Sequence, residues 1–239
     1  MNGILSKVLS ISKMERHLKQ LCIIASAMRI IATADIHGKQ YRMNEFVKAI
    51  EEYSPDLAVV CGDITHFGPG EFAKVLLDQI PIESLAIPGN IDTVDVFEYI
   101  EKSKAIDLHL RKIKKGGLTF IGLGGSDTLP FHIRRHPPVS EDEVKKDLSS
   151  IMEKDSVFVT HVPPYGVQDS VFLGMHAGSR WIREVVERYK PKLHLCGHIH
   201  EDPGFSKLGE TIVVNCSMGK HGRGALIDVN NIVEVEMLK

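Results

Sequence analysis

A mixed α/β fold, with two packed β-sheets and helices on their outer faces, is the architecture this sequence predicts. Three observations predict it. Short apolar runs alternate with segments of helical periodicity through most of the chain. Five of those apolar runs end in Asp, Asn or His. After Cys216 the alternation stops, and two strand-like runs follow one another with only Asn230-Asn231 between them.

The elements follow in order. Met28 to Ala34 is the first strand and leads into Asp35-Ile36-His37-Gly38. Gln40 to Tyr53 is a helix, because Met43, Phe46, Val47 and Ile50 recur at three- and four-residue steps. Leu57 to Cys61 is a strand ending in Gly62-Asp63. Helices over Pro69–Ile80 and Val94–Ile100 flank the short strand Leu85–Ile87, which ends in Pro88-Gly89-Asn90. Gly117 to Leu123 is a further strand, and Gly122-Leu123-Gly124-Gly125 reads as the turn that leaves it, since full nucleotide-loop spacing is missing. Glu141 to Met152 is a helix opened by a capping box, Ser140 with Glu143 three positions on. Val157 to Val159 leads through Thr160 to His161, and Pro163-Pro164 makes a rigid turn that aims that histidine. Ser179 to Tyr189 is a helix whose apolar face carries Trp181, Ile182, Val185 and Val186, and Pro191 stops it. The fifth run ends in Leu195-Cys196-Gly197-His198-Ile199-His200. Arg223–Val229 and Ile232–Met237 form a hairpin, because Asn at the turn tolerates positive φ.

At 239 residues and 43% hydrophobic content, the chain can bury a substantial core. Residues 28–239 form one domain, with no repeat or linker that would split it. Residues 1–27 read as an appended extension with a short helix from Lys13 to about Ser26, too interrupted for a secretory signal or a membrane span. A net charge of −2 offers no basic field for nucleic acid or a membrane surface. Cys22, Cys61, Cys196 and Cys216 form no Cys-x-x-Cys pair, which argues against a structural zinc site and for buried thiols in a reducing cytoplasm.

In open α/β sheets, ligands bind in the crevice at the carboxyl ends of the strands. Five such ends loaded with Asp, Asn and His therefore predict one shared metal site. His198 and His200 lie two apart at a strand end, so both rings face the same volume. A pair of cations needs a bridging ligand, and the Asp63 carboxylate suits that position. Asp35, His37 and His200 would serve one ion, and Asn90, His161 and His198 the other. Oxygen and nitrogen donors without thiolate suit Mn, Fe or Zn.

The ordered set Asp35-x-His37, Gly62-Asp63, Gly89-Asn90, His161 and Gly197-His198-x-His200 resembles the calcineurin-like metallophosphoesterases from Met28 to the C-terminus. The resemblance implies a four-layer α/β/β/α sandwich, the ligand division just given, and hydrolysis of a phosphate mono- or diester by hydroxide formed between two divalent ions. Asp92 is expected to support the ligands from behind. One position departs from the family pattern: many members carry a histidine after the Gly-Asn block that helps protonate the leaving group, and here it is Ile91. His66 is the first candidate to replace it, with His176 and His221 behind it. Arg134, Arg135 and Arg223 are candidate phosphate clamps, although solvated surface positions suit them better. The expected partner is a small phosphate ester rather than a stable nucleic-acid or membrane partner. A cyclic-nucleotide phosphodiesterase or nuclease on the same centre, and a non-catalytic scaffold of the same fold, are the alternatives.

Overall fold

The computed structural model describes residues 28–126 and 141–239. The 1–27 extension with its predicted helix, Cys22, Arg134, Arg135 and Ser140 lie outside the described residues.

Two six-stranded sheets face each other. The first holds β1 (Met28–Thr33), β2 (Leu57–Cys61), β3 (Ser84–Ile87), β4 (Ile106–Asp107), β11 (Gly224–Val229) and β12 (Val233–Leu238), in the order β12-β11-β1-β2-β3-β4. Strands β1 to β4 run parallel, whereas β11 pairs antiparallel with β1, Met28 opposite Val229. The second sheet holds β5 (Lys112–Lys115), β6 (Leu118–Leu123), β7 (Val157–Thr160), β8 (Leu193–Cys196), β9 (Gly204–Leu208) and β10 (Thr211–Asn215), in the order β5-β6-β7-β8-β10-β9. Here β6, β7, β8 and β10 are parallel, and the edge strands β5 and β9 are antiparallel.

The helices α1 (Gln40–Tyr53), α2 (Gly70–Leu77) and α3 (Val96–Glu101) cover the first sheet, and α4 (Glu141–Ile151) and α5 (Arg180–Tyr189) cover the second. Alternation along each strand decides which layer a side chain joins. Leu57, Val59 and Cys61 of β2 point between the sheets, while Ala58 and Val60 point at the helices. Both faces are buried, which is why the parallel strands read as unbroken apolar runs. The α5 helix starts where Ser179 accepts the Ile182 N–H at 3.0 Å, an N-cap worth about 1 kcal/mol. Trp181 is half-buried at the rim of the outer core of the second sheet. Cys61, Cys196 and Cys216 are buried free thiols. No helix among the described residues is long and apolar enough to cross a membrane.

Two expectations need correction in detail. The strands β4, β5, β9 and β10 were not foreseen: β4 has two residues, β5 is a lysine-rich edge, and β9 alternates at a solvent edge. The β11–β12 turn does not use positive φ at asparagine. Asn230 closes it with its side chain instead, accepting the Ile232 N–H on Oδ1 at 2.9 Å, a local turn that asparagine forms readily.

Candidate metal centre

The carboxyl ends of β1, β2, β3, β7 and β8 converge at one end of the sandwich, and the seven expected ligand residues converge with them. The first sheet brings Asp35, His37, Asp63 and Asn90. The second brings His161, His198 and His200. The backbone joins neighbouring ends: Asp35 N–H donates to the Gly62 carbonyl at 3.1 Å, and His37 N–H donates to the Asp63 carbonyl at 2.8 Å. Asp35, His37, Asp63 and His198 all sit at positive φ, between 50° and 70°. Non-glycine residues hold this conformation only where surrounding contacts impose it, as at functional sites.

The glycines of the motifs follow from crowding. A Cβ on Gly62 would stand 2.6 Å from His161 Nδ1 and 2.7 Å from the Gly89 Cα, and Gly62 also has φ +93°. A Cβ on Gly89 would strike the Asp63 carboxylate and amide.

On one side of the centre, His37 Nε2 and His200 Nε2 face each other at 3.1 Å. Asp35 Oδ1 lies 3.3 Å from His200 Nε2 and 3.9 Å from His37 Nε2, and it is buried without a well-aligned hydrogen bond. Burial of Asp35 opposes its ionisation, but the His200 contact and the His161 charge win and hold it below the usual carboxylate range. On the other side, Asn90 Oδ1 lies 2.8 Å from His161 Nε2 and 3.0 Å from His198 Nδ1. Asp63 stands between: its Oδ2 is 3.3 Å from His161 Nε2 and 3.9 Å from His37 Nδ1, while its Oδ1 accepts the Ile91 N–H at 3.1 Å. By proximity, Asp35, His37 and His200 form one group able to hold a cation, and Asp35, Asp63 and His161 another. Proximity alone thus puts Asp35 in both groups. The Asp63 carboxylate lies between His37 and His161.

The surroundings fix the protons. His161 is fully buried, and its Nδ1 lies 2.9 Å from the Cys61 carbonyl, which only a ring N–H can satisfy. Its Nε2 is left facing two oxygens. Burial alone would discharge this ring, but Asp63 outweighs burial and lifts it to about 9 in the metal-free protein. His37 and His198 go the other way, both to about 4, chiefly because they are desolvated.

Asp92 acts on the backbone rather than on the histidines, a correction of detail. Its carboxylate accepts the N–H groups of Ile64 (3.0 Å), Thr65 (2.7 Å) and Gly89 (2.8 Å), and the Thr65 hydroxyl at 2.7 Å. It therefore ties the loop after β2 to the loop after β3. Burial first, and the nearby Asp63 second, raise it to about 6. Arg42 is a residue the sequence reading missed. It is buried, and its guanidinium donates to the carbonyls of Asp35 and of Gly219, the latter at 2.7 Å. Its only sequence signal is a charge on the apolar side of α1, beside Met43 and Phe46.

The remaining candidates fall in different places. His66 is exposed, with its ring 5.6 Å from that of His37. His176 is tied to the buried Asp169 at 2.7 Å in a loop after β7. His221 lies exposed on the turn before β11. Arg223 pairs with Glu52 at 2.7 Å and is no free phosphate clamp. Gly124 and Gly125 N–H groups bond His109 Nδ1 and the Pro88 carbonyl at 2.9 Å each, so that segment is a turn.

The model of the calcineurin-like phosphoesterases matches residues 28–202. The chain belongs to this family. Among members and relatives, the chain is 36% identical over 200 residues to the uncharacterized protein MJ1162 of Methanocaldococcus jannaschii, covering 80% of this chain and 88% of that one. It is 23% identical over 182 residues to a probable glycerophosphodiester phosphodiesterase, GpdQ, of Arcobacter nitrofigilis, covering 70% of this chain and 64% of that one. Among solved structures, TT1561 of Thermus thermophilus shares the fold with a TM-score of 0.64 at 16% identity, over 89% of this chain and all of that one. As a calcineurin-like phosphoesterase, the chain has the two-sheet sandwich and the Asp/His groupings suited to divalent metals that its family implies.

Proposed function

We propose that this chain is a phosphoester hydrolase that holds two divalent cations, one through Asp35, His37 and His200, the other through Asn90, His161 and His198, with Asp63 shared between them. The observation that carries the reading is the convergence of four histidine rings, two carboxylates and one amide oxygen on one small volume. His161 donates from Nδ1 to the Cys61 carbonyl, and its Nε2 faces Asn90 Oδ1 at 2.8 Å and Asp63 Oδ2 at 3.3 Å, where a cation would take the place of the proton that Asp63 holds on the ring in the metal-free protein. The His37 and His200 Nε2 atoms confront one another beside the unsatisfied Asp35 Oδ1. A buried polar group costs free energy without a partner, and a cation satisfies all of these atoms together. When bound, a pair of Mn, Fe or Zn ions supplies the charge that acidifies a water and offsets the charge of a phosphoryl group.

The chain's own residues do the positioning. The Cys61 carbonyl fixes the His161 tautomer. Arg42 holds the Asp35 backbone, and Asp92 holds the loop that presents Asp63. Ile91 contributes its N–H to Asp63 but has no side-chain proton to give. His66, exposed beside His37, is the candidate ring for the leaving-group role. With isoleucine at position 91 in place of a proton-donating side chain, esters with good leaving groups are the favoured substrates. The reading includes a small phosphate ester as partner and a reducing cytoplasmic setting, the latter supported by the free thiols of Cys61, Cys196 and Cys216.

Purification without chelator, metal analysis and a panel of aryl and alkyl phosphate mono- and diesters test the proposal. Bound divalent metal with turnover of aryl esters well above alkyl esters is expected. Equal aryl and alkyl rates would remove the leaving-group argument. Metal binding without turnover of any ester would favour the scaffold alternative.

A further inference from the structure

A polar hollow of about 370 Å³ opens where the turn Met218–Gly222 meets the start of α1. Arg42, Lys220, His221, Arg223 and Lys239 line it, and Glu45 is the one acidic side chain among the described residues that do. The hollow shares a wall with the centre. Gly222 N–H closes the turn onto the Met218 carbonyl at 2.7 Å, and Met218 N–H donates to the Ala34 carbonyl at 3.3 Å. Gly219 packs so tightly on the next loop that a Cβ there would stand 3.2 Å from the His200 carbonyl. Arg42 spans both sides, donating to the carbonyls of Asp35 and Gly219 while lining the hollow.

The basic side chains divide into two kinds. Arg42 and Arg223 are committed, the first to the two carbonyls and the second to Glu52 and the Lys239 carbonyl. They give the hollow a fixed positive background. Lys220 and His221 are exposed on the turn. A concave site beside a reaction centre whose lining holds more basic than acidic side chains attracts anions.

We propose that this hollow receives a second anionic group, a carboxylate or a phosphate, on the non-leaving arm of a phosphodiester whose reacting phosphorus sits at the metal centre. This rests on the hydrolase reading above. It selects a substrate class: diesters with an acidic arm are preferred over those with a neutral one. Lys220 and His221 contact the arm, while Arg42 sets the field and joins the hollow to the Asp35 loop.

Three p-nitrophenyl diesters sharing one leaving group, with ethyl, 2-carboxyethyl and 2-phosphoethyl second arms, test the proposal on the full chain. The acidic arms are expected to raise kcat/KM about fivefold over ethyl, through KM, with the preference shrinking as salt rises. The two acidic arms show whether carboxylate or phosphate is the better ligand. Lys220→Ala brings the acidic-to-neutral ratio close to unity, and Lys220→Glu inverts it. Equal kcat/KM on all three esters, or a preference untouched in both variants, overturns the proposal while leaving the hydrolase reading standing. If no ester is turned over, the hydrolase reading fails, and succinate titrated into the metal-free chain tests the hollow by itself. A saturable shift of the His221 ring resonances, weakened in Lys220→Ala, supports it, and no saturable shift overturns it.

Discussion

The two halves of the metal centre use similar donors but sit in different surroundings. The His161 half is closed: His161 has no exposure, its ring is locked by the Cys61 carbonyl, and His198 packs edge-on against it at 5.1 Å. The His200 half is open: the His200 side chain is 41% exposed, and His66 and His37 stand with it at the mouth. Burial fixes geometry and removes competing water, so the closed half is organised before a cation arrives, whereas the open half is partly organised by it. The difference teaches a division of labour. On the proposed reading, the closed half anchors a cation, and the open half exchanges its cation and meets substrate.

The harshest way to break this comparison is to remove what the halves share. Asp63→Asn is expected to lower kcat/KM about 10²- to 10³-fold and to leave less than one equivalent of metal by elemental analysis. Retention of two equivalents would deny the bridging position. Crowding gives the next effect. Gly89→Ala forces a methyl into Asp63, at a cost of about 3 kcal/mol, so its melting temperature should fall by roughly 10 °C. An unchanged melting temperature would mean the strand ends are looser than drawn.

A single-half removal sharpens the comparison. His161→Ala and His200→Ala should each release one equivalent of metal under chelator. The remaining ion should resist chelation longer in His200→Ala, because the closed half is intact there. Equal chelator sensitivity would erase the asymmetry. The smallest effect belongs to His194, buried behind the centre, 2.8 Å from Thr160 Oγ1 and stacked on Phe158. Burial depresses it to about 3. A histidine depressed on folding contributes stability that is present above its unfolded value near 6.5 and is lost as pH falls toward 3. His194→Gln should therefore flatten the acid loss of stability by at most about 1.4 kcal/mol per pH unit, read from denaturant melts between those limits. A slope identical to the parent's would show that the ring is not the titrating group.

The convergence of the seven candidate ligand residues was legible because each lies within a few positions of an apolar run. The run says where a strand ends, and strand ends in such sheets meet at a crevice. Arg42 was not legible, because a charge on a helix reads as solvated until the loops it binds are folded beside it. Asp92 was noticed, but its partners were not: Ile64 and Thr65 reach it across 28 and 27 residues. Likewise Asn230 was rightly placed in a turn, while the device that closes the turn depends on backbone angles that composition does not set.

By itself, the sequence determined the order of helices and strands over much of the chain and the chemistry offered at each strand end, because periodicity and donor type are local properties. The tertiary structure decided which strands neighbour one another, as when β11 lands beside β1 and β10 beside β8. It also decided which half of the centre is closed and where the cationic hollow opens. Those outcomes depend on contacts between residues far apart along the chain, and burial, electrostatics and proton position are properties of such contacts alone.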